Sequence, residues 1–153
     1  MTNFIQSLAG YSLIQYLFSI KDRHNNNILI DTFGHIIHID YSFILSSSPG
    51  NMGFEKAPFK LTSDYMELME GIESDIFKHF KLLFFFGLKY IRKYKKEIME
   101  SVIMMTHCPG MKSITFGLLK IWIKMYNLQS ILKNTPSEEK CHDFQITLPL
   151  NYF

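Results

Sequence analysis

Three polar side chains between residues 22 and 40 have the types that phosphoryl transfer requires. Asp22 begins the polar run DRHNNN, Asn27 ends it, and Asp40 follows a short apolar segment. A carboxylate such as that of Asp22 can accept the proton of an attacking hydroxyl group. The amide oxygen of Asn27 and the carboxylate of Asp40 are hard oxygen ligands, which suit a magnesium ion that also binds phosphate oxygens. The pattern therefore predicts transfer of a phosphate group from a metal-bound donor.

The elements around these residues indicate how they come together. Apolar residues at mostly helical spacing predict a buried helix near residues 4–20. Two β-branched runs, ILI at 28–30 and IIHI at 36–39, predict a hairpin that turns at Gly34. The catalytic loop of protein kinases has the same separation between its Asp and its Asn. We therefore expect residues 22–27 to form a catalytic loop and Asp40 to complete a metal site.

The rest of the chain is predicted to be one long loop followed by helices. Serine, glycine and proline collect at residues 46–58, SSSPGNMGFEKAP, which is typical of a loop. Cap signals at 62–64 predict a short helix to Gly71, and Ser74 is expected to begin a second helix that continues through Glu100. A last amphipathic helix is expected near residues 114–132. The fold class is therefore α+β, mainly helical.

Composition limits the class of protein. The chain has 153 residues, 47% of them hydrophobic, and its 16 Lys and Arg nearly balance its 14 Asp and Glu. A net charge of +2 excludes the strong cationic field of bulk nucleic-acid binding. Two cysteines are too few for a disulfide scaffold, which predicts a reducing, cytosolic setting. The longest apolar run, residues 82–88, is shorter than a membrane span, and no basic region of a secretory signal precedes the first apolar stretch.

The segment DRHNNNILIDTFGHIIHIDYSFILSSSPGNMGFEKAPFKLT resembles the catalytic and activation loops of the phosphatidylinositol 3-/4-kinase superfamily, most closely those of the type III 4-kinases of the beta kind. The stretches NFIQSLAGYSLIQYL before it and SDYMELMEGIESDIFKHF after it are similar as well. The likeness runs from about Asn3 to Met105 and fades beyond Met111. It implies that residues 1–134 form the mainly α-helical C-terminal lobe of a protein-kinase-like fold, with a catalytic loop at 22–27, an activation loop at 40–61 and a divergent tail at 135–153.

The resemblance also implies a role for each matching position. Asp22 matches the catalytic-loop acid, and Arg23 matches a loop arginine that organises the loop or pairs with a carboxylate. His24 is a candidate to share the general-base role, and the residues alone leave its division with Asp22 open. Asn27 and Asp40 match the metal ligands and hence the nucleotide site.

The implied cofactors are ATP and Mg²⁺, with Mn²⁺ as an alternative ion, and the implied acceptor is the 4-hydroxyl of phosphatidylinositol in a membrane. Lys56 and Lys60 in the activation loop are candidates for contact with a headgroup phosphate, and solvated loop lysines are the alternative interpretation. The resemblance implies peripheral contact with the cytosolic face of Golgi-like or other internal membranes, unspecified regulatory proteins and no nucleic acid. Because no glycine-rich loop or nucleotide-binding lysine precedes Asn3, an N-terminal lobe is expected to be absent and the chain alone to be inactive.

Several features leave other interpretations open. The family's Asp-Phe-Gly appears as Asp40, Tyr41 and Ser42, and a serine lacks the access of glycine to positive φ, so we expect either a different loop path or strain. A degenerate, non-catalytic binding module and a fragment of a related 3-kinase or protein kinase are the alternatives. The basic run LKYIRKYKK at 88–96 is interpreted as a solvated helix face, with acidic lipid or nucleic acid as the alternative ligand. Zinc binding by the Cys-His pairs at 107–108 and 141–142 is not expected.

Overall fold

The computed structural model describes residues 1–45, 57–105 and the helix at 114–133, and in that helix the side chains of 117–125 and 127. The elements in chain order are α1 (Thr2–Phe18), a single 3₁₀ turn (Asn25–Asn27), β1 (Ile28–Ile30), β2 (Ile36–His38), α2 (Ser63–Leu68), α3 (Asp75–Lys93), α4 (Lys95–Met105) and α5 (Ile114–Lys133). The described residues are thus mainly helical with one two-stranded sheet, as the sequence predicts. No helix within these ranges has the length and apolarity needed to cross a bilayer.

The hairpin forms where the β-branched runs predict it. Its strands are antiparallel, with Ile28 opposite His38 and Ile30 opposite Ile36. At the turn, the Asp31 carboxylate accepts hydrogen bonds from the backbone N–H groups of residues 33 and 35, at 2.9 and 2.8 Å. Gly34 has a φ of 85°, a left-handed conformation that glycine adopts without steric cost. Side-chain capping of the turn and one permissive glycine therefore fix the hairpin locally.

Helix α1 carries the hairpin on one side. The hydroxyl of Ser7 accepts a hydrogen bond from the Ile36 backbone N–H at 2.9 Å, and the Asn3 amide donates to the Phe33 carbonyl at 3.0 Å. These polar contacts join α1 to the second strand and to the tip of the hairpin. The buried face of α1 includes Phe4, Ile5 and Leu8, which belong to the same hydrophobic cluster as Ile36. The hairpin is therefore positioned by apolar packing and by two polar side chains on α1.

The predicted helix from Ser74 through Glu100 is two helices. The Ser74 hydroxyl caps α3 by accepting from the Phe77 N–H at 3.0 Å, as expected, but α3 ends at Lys93 with Tyr94 as its C-cap. The prediction of one continuous helix was wrong because packing decides the break. Phe80 and Phe84 of α3 lie in the cluster beneath α1, whereas Val102 of α4 lies in a second cluster. The end of α3 also contacts the second cluster through Ile91, and α4 adds Val102 to it.

The two hydrophobic clusters anchor the two described ends of the predicted activation loop. Leu45 is buried in the second cluster with Val102 and Ile121, and Phe59 is buried in the first cluster, where its ring lies 5.1 Å from that of Phe84. Burying a side chain of this size adds about 1.5–3 kcal/mol to the free energy of unfolding. Because the net free energy of unfolding of a protein is small, each of these two residues contributes a large part of it. Residues 46–56, which include most of the predicted long loop, lie outside the described residues.

Helix α5 holds the end of α1 and the start of the activation loop. A Cβ on Gly117 would lie 2.6 Å from the Cβ of Leu45, so only glycine permits this close approach. The Lys124 ammonium donates to the carbonyl of Tyr16 and, at 2.7 Å, to the hydroxyl of Ser19, which is the C-cap of α1. Burial lowers the pKa of Lys124 to about 8, and the nearby Lys21 and Lys120 add to this effect. A cation at a helix C-terminus also complements the helix dipole.

Candidate active site

Asp22 and Asn27 are joined directly, as their spacing suggests. The Asn27 side-chain N–H group donates to the main-chain oxygen of Asp22 at 2.9 Å and to its carboxylate at 3.3 Å. Asp22 has a φ of 63°, a conformation that costs a non-glycine residue on the order of 1–3 kcal/mol unless its surroundings impose it. The buried Asn27 amide closes the loop and holds that conformation.

His24 lies close to the Asp22 carboxylate. Its Nε2 is 3.7 Å from an oxygen of the Asp22 carboxylate, and its side chain is half exposed. Its charge also lowers the pKa of Asp40, as a minor contribution, so its ring is within electrostatic range of both carboxylates. The position of His24 is compatible with a shared general-base role. The division of that role between His24 and Asp22 stays a prediction.

Backbone hydrogen bonds bracket the loop at both ends. Before it, the N–H of Lys21 donates to the carbonyl of Phe43 at 2.9 Å. After it, the carbonyl of Asn27 accepts from the N–H of Ile39 at 3.0 Å, which continues the hairpin pairing by one more step. Both partners, Ile39 and Phe43, flank Asp40 in the chain. The loop with Asp22 and Asn27 is therefore held against the segment that carries Asp40.

Ser42 forms hydrogen bonds with the Asp40 carboxylate and lowers its pKa. The Ser42 N–H donates to the Asp40 carboxylate at 2.8 Å, and the side chain of Ser42 also bonds to it. The side-chain bond is the largest cause of a pKa for Asp40 below its usual value, followed by the backbone bond from the same residue. Ser42 is not among the described residues with positive φ. Ser42 itself therefore carries no left-handed strain, and the different loop path stays a prediction.

His38 is a buried residue of the site, and Tyr41 beside it is 42% exposed. The His38 ring is buried beside Tyr41, at 5.1 Å between ring centres, and beside Tyr11 of α1 at 6.5 Å. Burial raises the pKa of Tyr41, and a hydrogen bond with Tyr11 adds to this effect. The charge of His38 also contributes to the low pKa of Asp40. This arrangement suits a role for His38 in orienting Asp40 rather than in proton transfer.

Arg23 and Lys60 connect the predicted catalytic loop to the later part of the predicted activation loop. The buried guanidinium of Arg23 donates to the carbonyl of Ala57 at 2.8 Å, which corresponds to the loop-organising alternative. The Lys60 ammonium donates to the carbonyl of Arg23 at 2.7 Å and to the side-chain oxygen of Asn25 at 2.8 Å. These bonds place Lys60 against the catalytic loop. Lys56, its predicted companion, lies outside the described residues, as do the Cys-His pairs at 107–108 and 141–142.

Gln15 is a positioning residue that the sequence interpretation missed. Its side-chain oxygen accepts the N–H of Lys60 at 2.9 Å, although Gln15 itself is buried in α1. A polar residue on the buried face of an otherwise apolar helix was the available signal, because a buried polar group requires a partner. Ser7, which holds the hairpin, gave the same kind of signal.

The outer face of the hairpin, formed by Leu29, Ile37 and Ile39, was also missed. Leu29 and Ile37 are direct partners in the sheet, and Ile39 lies two residues further along the same face. All three are exposed, Ile39 to 53% and Leu29 to 48%. The pairing of Asn27 with Ile39 sets this apolar face beside the predicted metal ligands. An exposed apolar face adjoining polar oxygens is the composition of a small-molecule site.

The residues present fit a magnesium ion that is shared with a nucleotide. Asn27 and the ionised Asp40 offer two hard oxygen ligands, and magnesium in phosphoryl-transfer sites usually takes one or two carboxylates besides phosphate oxygens and water. Among the described residues there is no group of three or more His, Cys, Asp or Glu arranged to enclose a metal ion. The donor set thus favours an ion completed by phosphate over one held by protein alone.

Substitution of Ser42 tests whether its hydrogen bonds lower the pKa of Asp40. In Ser42→Gly and in Ser42→Ala, the pKa of Asp40 is expected to rise toward its usual value, because the largest cause of the lowering is lost. The carboxyl carbon of Asp40, followed by NMR as a function of pH, reports this shift. Equal shifts in both variants would assign the effect to the hydroxyl. A shift in the glycine variant alone would assign it to backbone freedom, and no shift in either would contradict the bond.

Comparisons with known proteins identify the family that this chain resembles. The family model for phosphatidylinositol 3- and 4-kinases matches residues 1–112. The chain is 53% identical over 103 residues to phosphatidylinositol 4-kinase beta of Danio rerio, covering 67% of this chain and 12% of that protein. It is 50% identical over 116 residues to phosphatidylinositol 4-kinase of Dictyostelium discoideum, covering 76% of this chain and 10% of the relative. The Xenopus tropicalis beta protein is 52% identical over 103 residues, which are 67% of this chain and 13% of that relative. The chain thus spans about a tenth of the length of these relatives.

Proposed function

The chain belongs to the phosphatidylinositol 3- and 4-kinase family, and from that premise we propose that it carries the phosphoryl-transfer site of a phosphatidylinositol 4-kinase. The observation that carries the proposal is the pair of backbone hydrogen bonds that brackets the loop of Asp22 and Asn27 against the segment of Asp40. Phosphoryl transfer depends mostly on positioning and on charge stabilisation. A site for it needs these three residues fixed relative to one another, and the fold supplies that.

In the proposed reaction, the 4-hydroxyl oxygen of inositol attacks the γ-phosphorus of ATP. An oxygen–phosphorus bond forms, the bond from the γ-phosphorus to the bridging oxygen breaks, and ADP leaves. Asp22 accepts the hydroxyl proton, and His24, within range of Asp22, is placed to share or relay it. Asn27 and Asp40 would hold a magnesium ion, which when bound neutralises charge on the phosphates.

The outer hairpin face supports a nucleotide as the donor. Leu29, Ile37 and Ile39 are exposed and apolar, and they adjoin the proposed metal ligands through the pairing of Asn27 with Ile39. A flat base could cover this surface while its phosphates reach the ion. Such an arrangement would remove apolar area from water, which is favourable at about 25 cal/mol per Å².

The finer assignments belong to the same proposal. We assign residues 1–134 to a C-terminal catalytic lobe, with the activation loop at 40–61 and a divergent tail at 135–153. Lys56 is proposed to contact the lipid headgroup. Lys60 is proposed to act through the catalytic loop, because its ammonium binds Arg23 and Asn25. The proposed location is the cytosolic face of internal membranes of the Golgi kind.

One observation favours a non-catalytic binding module as the second candidate. The backbone N–H and the side chain of Ser42 both form hydrogen bonds with the Asp40 carboxylate. These bonds compete with a metal ion for the same oxygens. A module of this kind would retain nucleotide or lipid binding without transfer.

A chimaeric enzyme separates the two candidates. The 103 residues of the Danio rerio beta protein that match this chain are replaced by the corresponding residues of this chain, and the parent serves as the control. We expect the chimaera to convert phosphatidylinositol to its 4-phosphate with ATP and magnesium, with the position of the phosphate identified by chromatography of the headgroup. A chimaera that has the same unfolding temperature as the parent and binds ATP, yet forms no product, would establish the binding module instead.

A further inference from the structure

The end of α3 and the start of α4 carry an unusual concentration of positive charge. Residues 89–96, KYIRKYKK, hold five of the 16 Lys and Arg of the chain and no acid. The chain as a whole has a net charge of only +2. One short surface therefore has a strongly positive potential on a nearly neutral protein, which favours a local anionic partner over long-range steering.

The cations of α3 alternate with aromatic side chains on one face. Phe86, Lys89, Tyr90 and Lys93 are spaced at helical intervals of three and four residues, so they form a single stripe. We call this stripe, together with Arg92, the basic face. Tyr90 is 62% exposed and Phe86 is 38% exposed, and the five residues of the basic face line one surface groove. The opposite side of α3 buries the apolar core, so the basic face is not needed for folding.

Acidic side chains do not neutralise the basic face. Among the ion pairs between described residues, those on α3 and α4 involve Lys78 with Asp75 and Lys96 with Glu100, the latter at 3.9 Å. The Lys93 ammonium lies 5.2 Å from the centre of the Tyr94 ring, and the Lys93 side chain is exposed. The exposed positive charge therefore lacks a carboxylate within the part of the chain that the structure describes.

We propose that the basic face is a second membrane-contact surface, which binds the headgroups of anionic phospholipids with its cations and inserts Phe86 and Tyr90 at the interface. Lys and Arg near an anionic bilayer are attracted to it, and aromatic rings are most stable at the level of the headgroups. The exposed Phe86 favours a bilayer over nucleic acid, because a phosphate backbone offers it no apolar phase. The proposal rests on the proposed function only for its choice of a lipid bilayer as the occupant.

Vesicle sedimentation of the full 153-residue chain tests this surface. The vesicles contain phosphatidylcholine with or without phosphatidylserine, and no ATP is present, so failure here and failure of 4-kinase activity are separate results. The double variant Lys89→Gln/Lys93→Gln is compared with Lys78→Gln/Lys81→Gln, which removes the same charge from the other end of α3. We expect Lys89→Gln/Lys93→Gln to partition onto the vesicles roughly 30-fold more weakly, because it removes two cations near an anionic surface. For Lys78→Gln/Lys81→Gln we expect a loss of less than about 10-fold. Tyr90→Ala is expected to weaken binding even at about 1 M salt, where charge is screened.

Three results would overturn the proposal. One is binding that does not depend on phosphatidylserine. Another is an equal loss of vesicle binding in the two lysine double variants, which would show that binding depends only on the net charge. The third is binding of a short DNA duplex, but not of vesicles, with the same dependence on Lys89 and Lys93. Thermal unfolding of each variant confirms that the fold is intact, which is expected for exposed side chains.

Discussion

Replacing Asp40 by Asn should lower the rate of phosphoryl transfer in the chimaera by roughly 100- to 1000-fold, the scale on which loss of one preorganised electrostatic group acts. The substitution keeps the size of the side chain and its capacity to accept from the Ser42 N–H, and it removes the charge. Because Asp40 is exposed and its loop is held by the backbone of Ile39 and Phe43, stability should change little. Initial rates at saturating ATP measure the effect.

Asp75→Asn is the matched control for this result. Asp75 is also a surface carboxylate with one cationic neighbour, Lys78, but it lies at the start of α3. Its substitution should leave the rate unchanged. The magnesium dependence adds a second readout, since Asp40→Asn should raise the concentration of magnesium required for half-maximal rate. Equal losses in both variants, or an unchanged magnesium requirement, would remove Asp40 from the proposed metal site.

Loss of the Asp22 carboxylate is the second large effect that we expect. Asp22→Asn should slow transfer by roughly 100- to 10,000-fold, the range of a positioned general base, with little change in the KM for ATP. His24→Gln should cost less, because the His24 side chain is half exposed and 3.7 Å from the acid. Rates measured across the pH range for each variant separate the two roles.

The pH profile decides the assignment of the base. If Asp22 is the base, His24→Gln keeps the shape of the profile and lowers its height. If the imidazole carries the proton, His24→Gln changes the shape of the profile, and Asp22→Asn keeps that shape. Asp22 also closes the loop through Asn27, so the unfolding temperature of Asp22→Asn must be compared with that of the parent. A folded Asp22→Asn variant with full activity would contradict the proposed mechanism.

Local signals predicted local structure well. The hairpin, its turn at Gly34 and the cap of α3 at Ser74 each depend on residues within a few positions of one another. The spacing of Asp22 and Asn27 is equally local, and the hydrogen bonds between them are present. Such features can be found from sequence because the interacting groups and their geometry are set by a short stretch of backbone.

Contacts between distant segments could not be predicted in the same way. Arg23 reaches Ala57 across 34 positions, and Gln15 reaches Lys60 across 45. Their partners depend on how α1 and the activation loop pack, which no periodicity encodes. The break at Tyr94 could not be predicted either, since its neighbours are good helix formers and no local signal ends the helix there.

The contact of α5 with the site has an evolutionary consequence. The family match ends at residue 112, before α5 begins, yet α5 closes over Leu45 at Gly117 and holds the end of α1 through Lys124. Selection on the packing of the candidate site should therefore extend into α5, beyond the part of the chain that the family model matches. We expect its substitution rate to alternate by face along the helix. Slow positions would be Gly117, Ile121, Lys124 and Met125, and fast ones Leu119, Trp122 and Ile123, which are exposed.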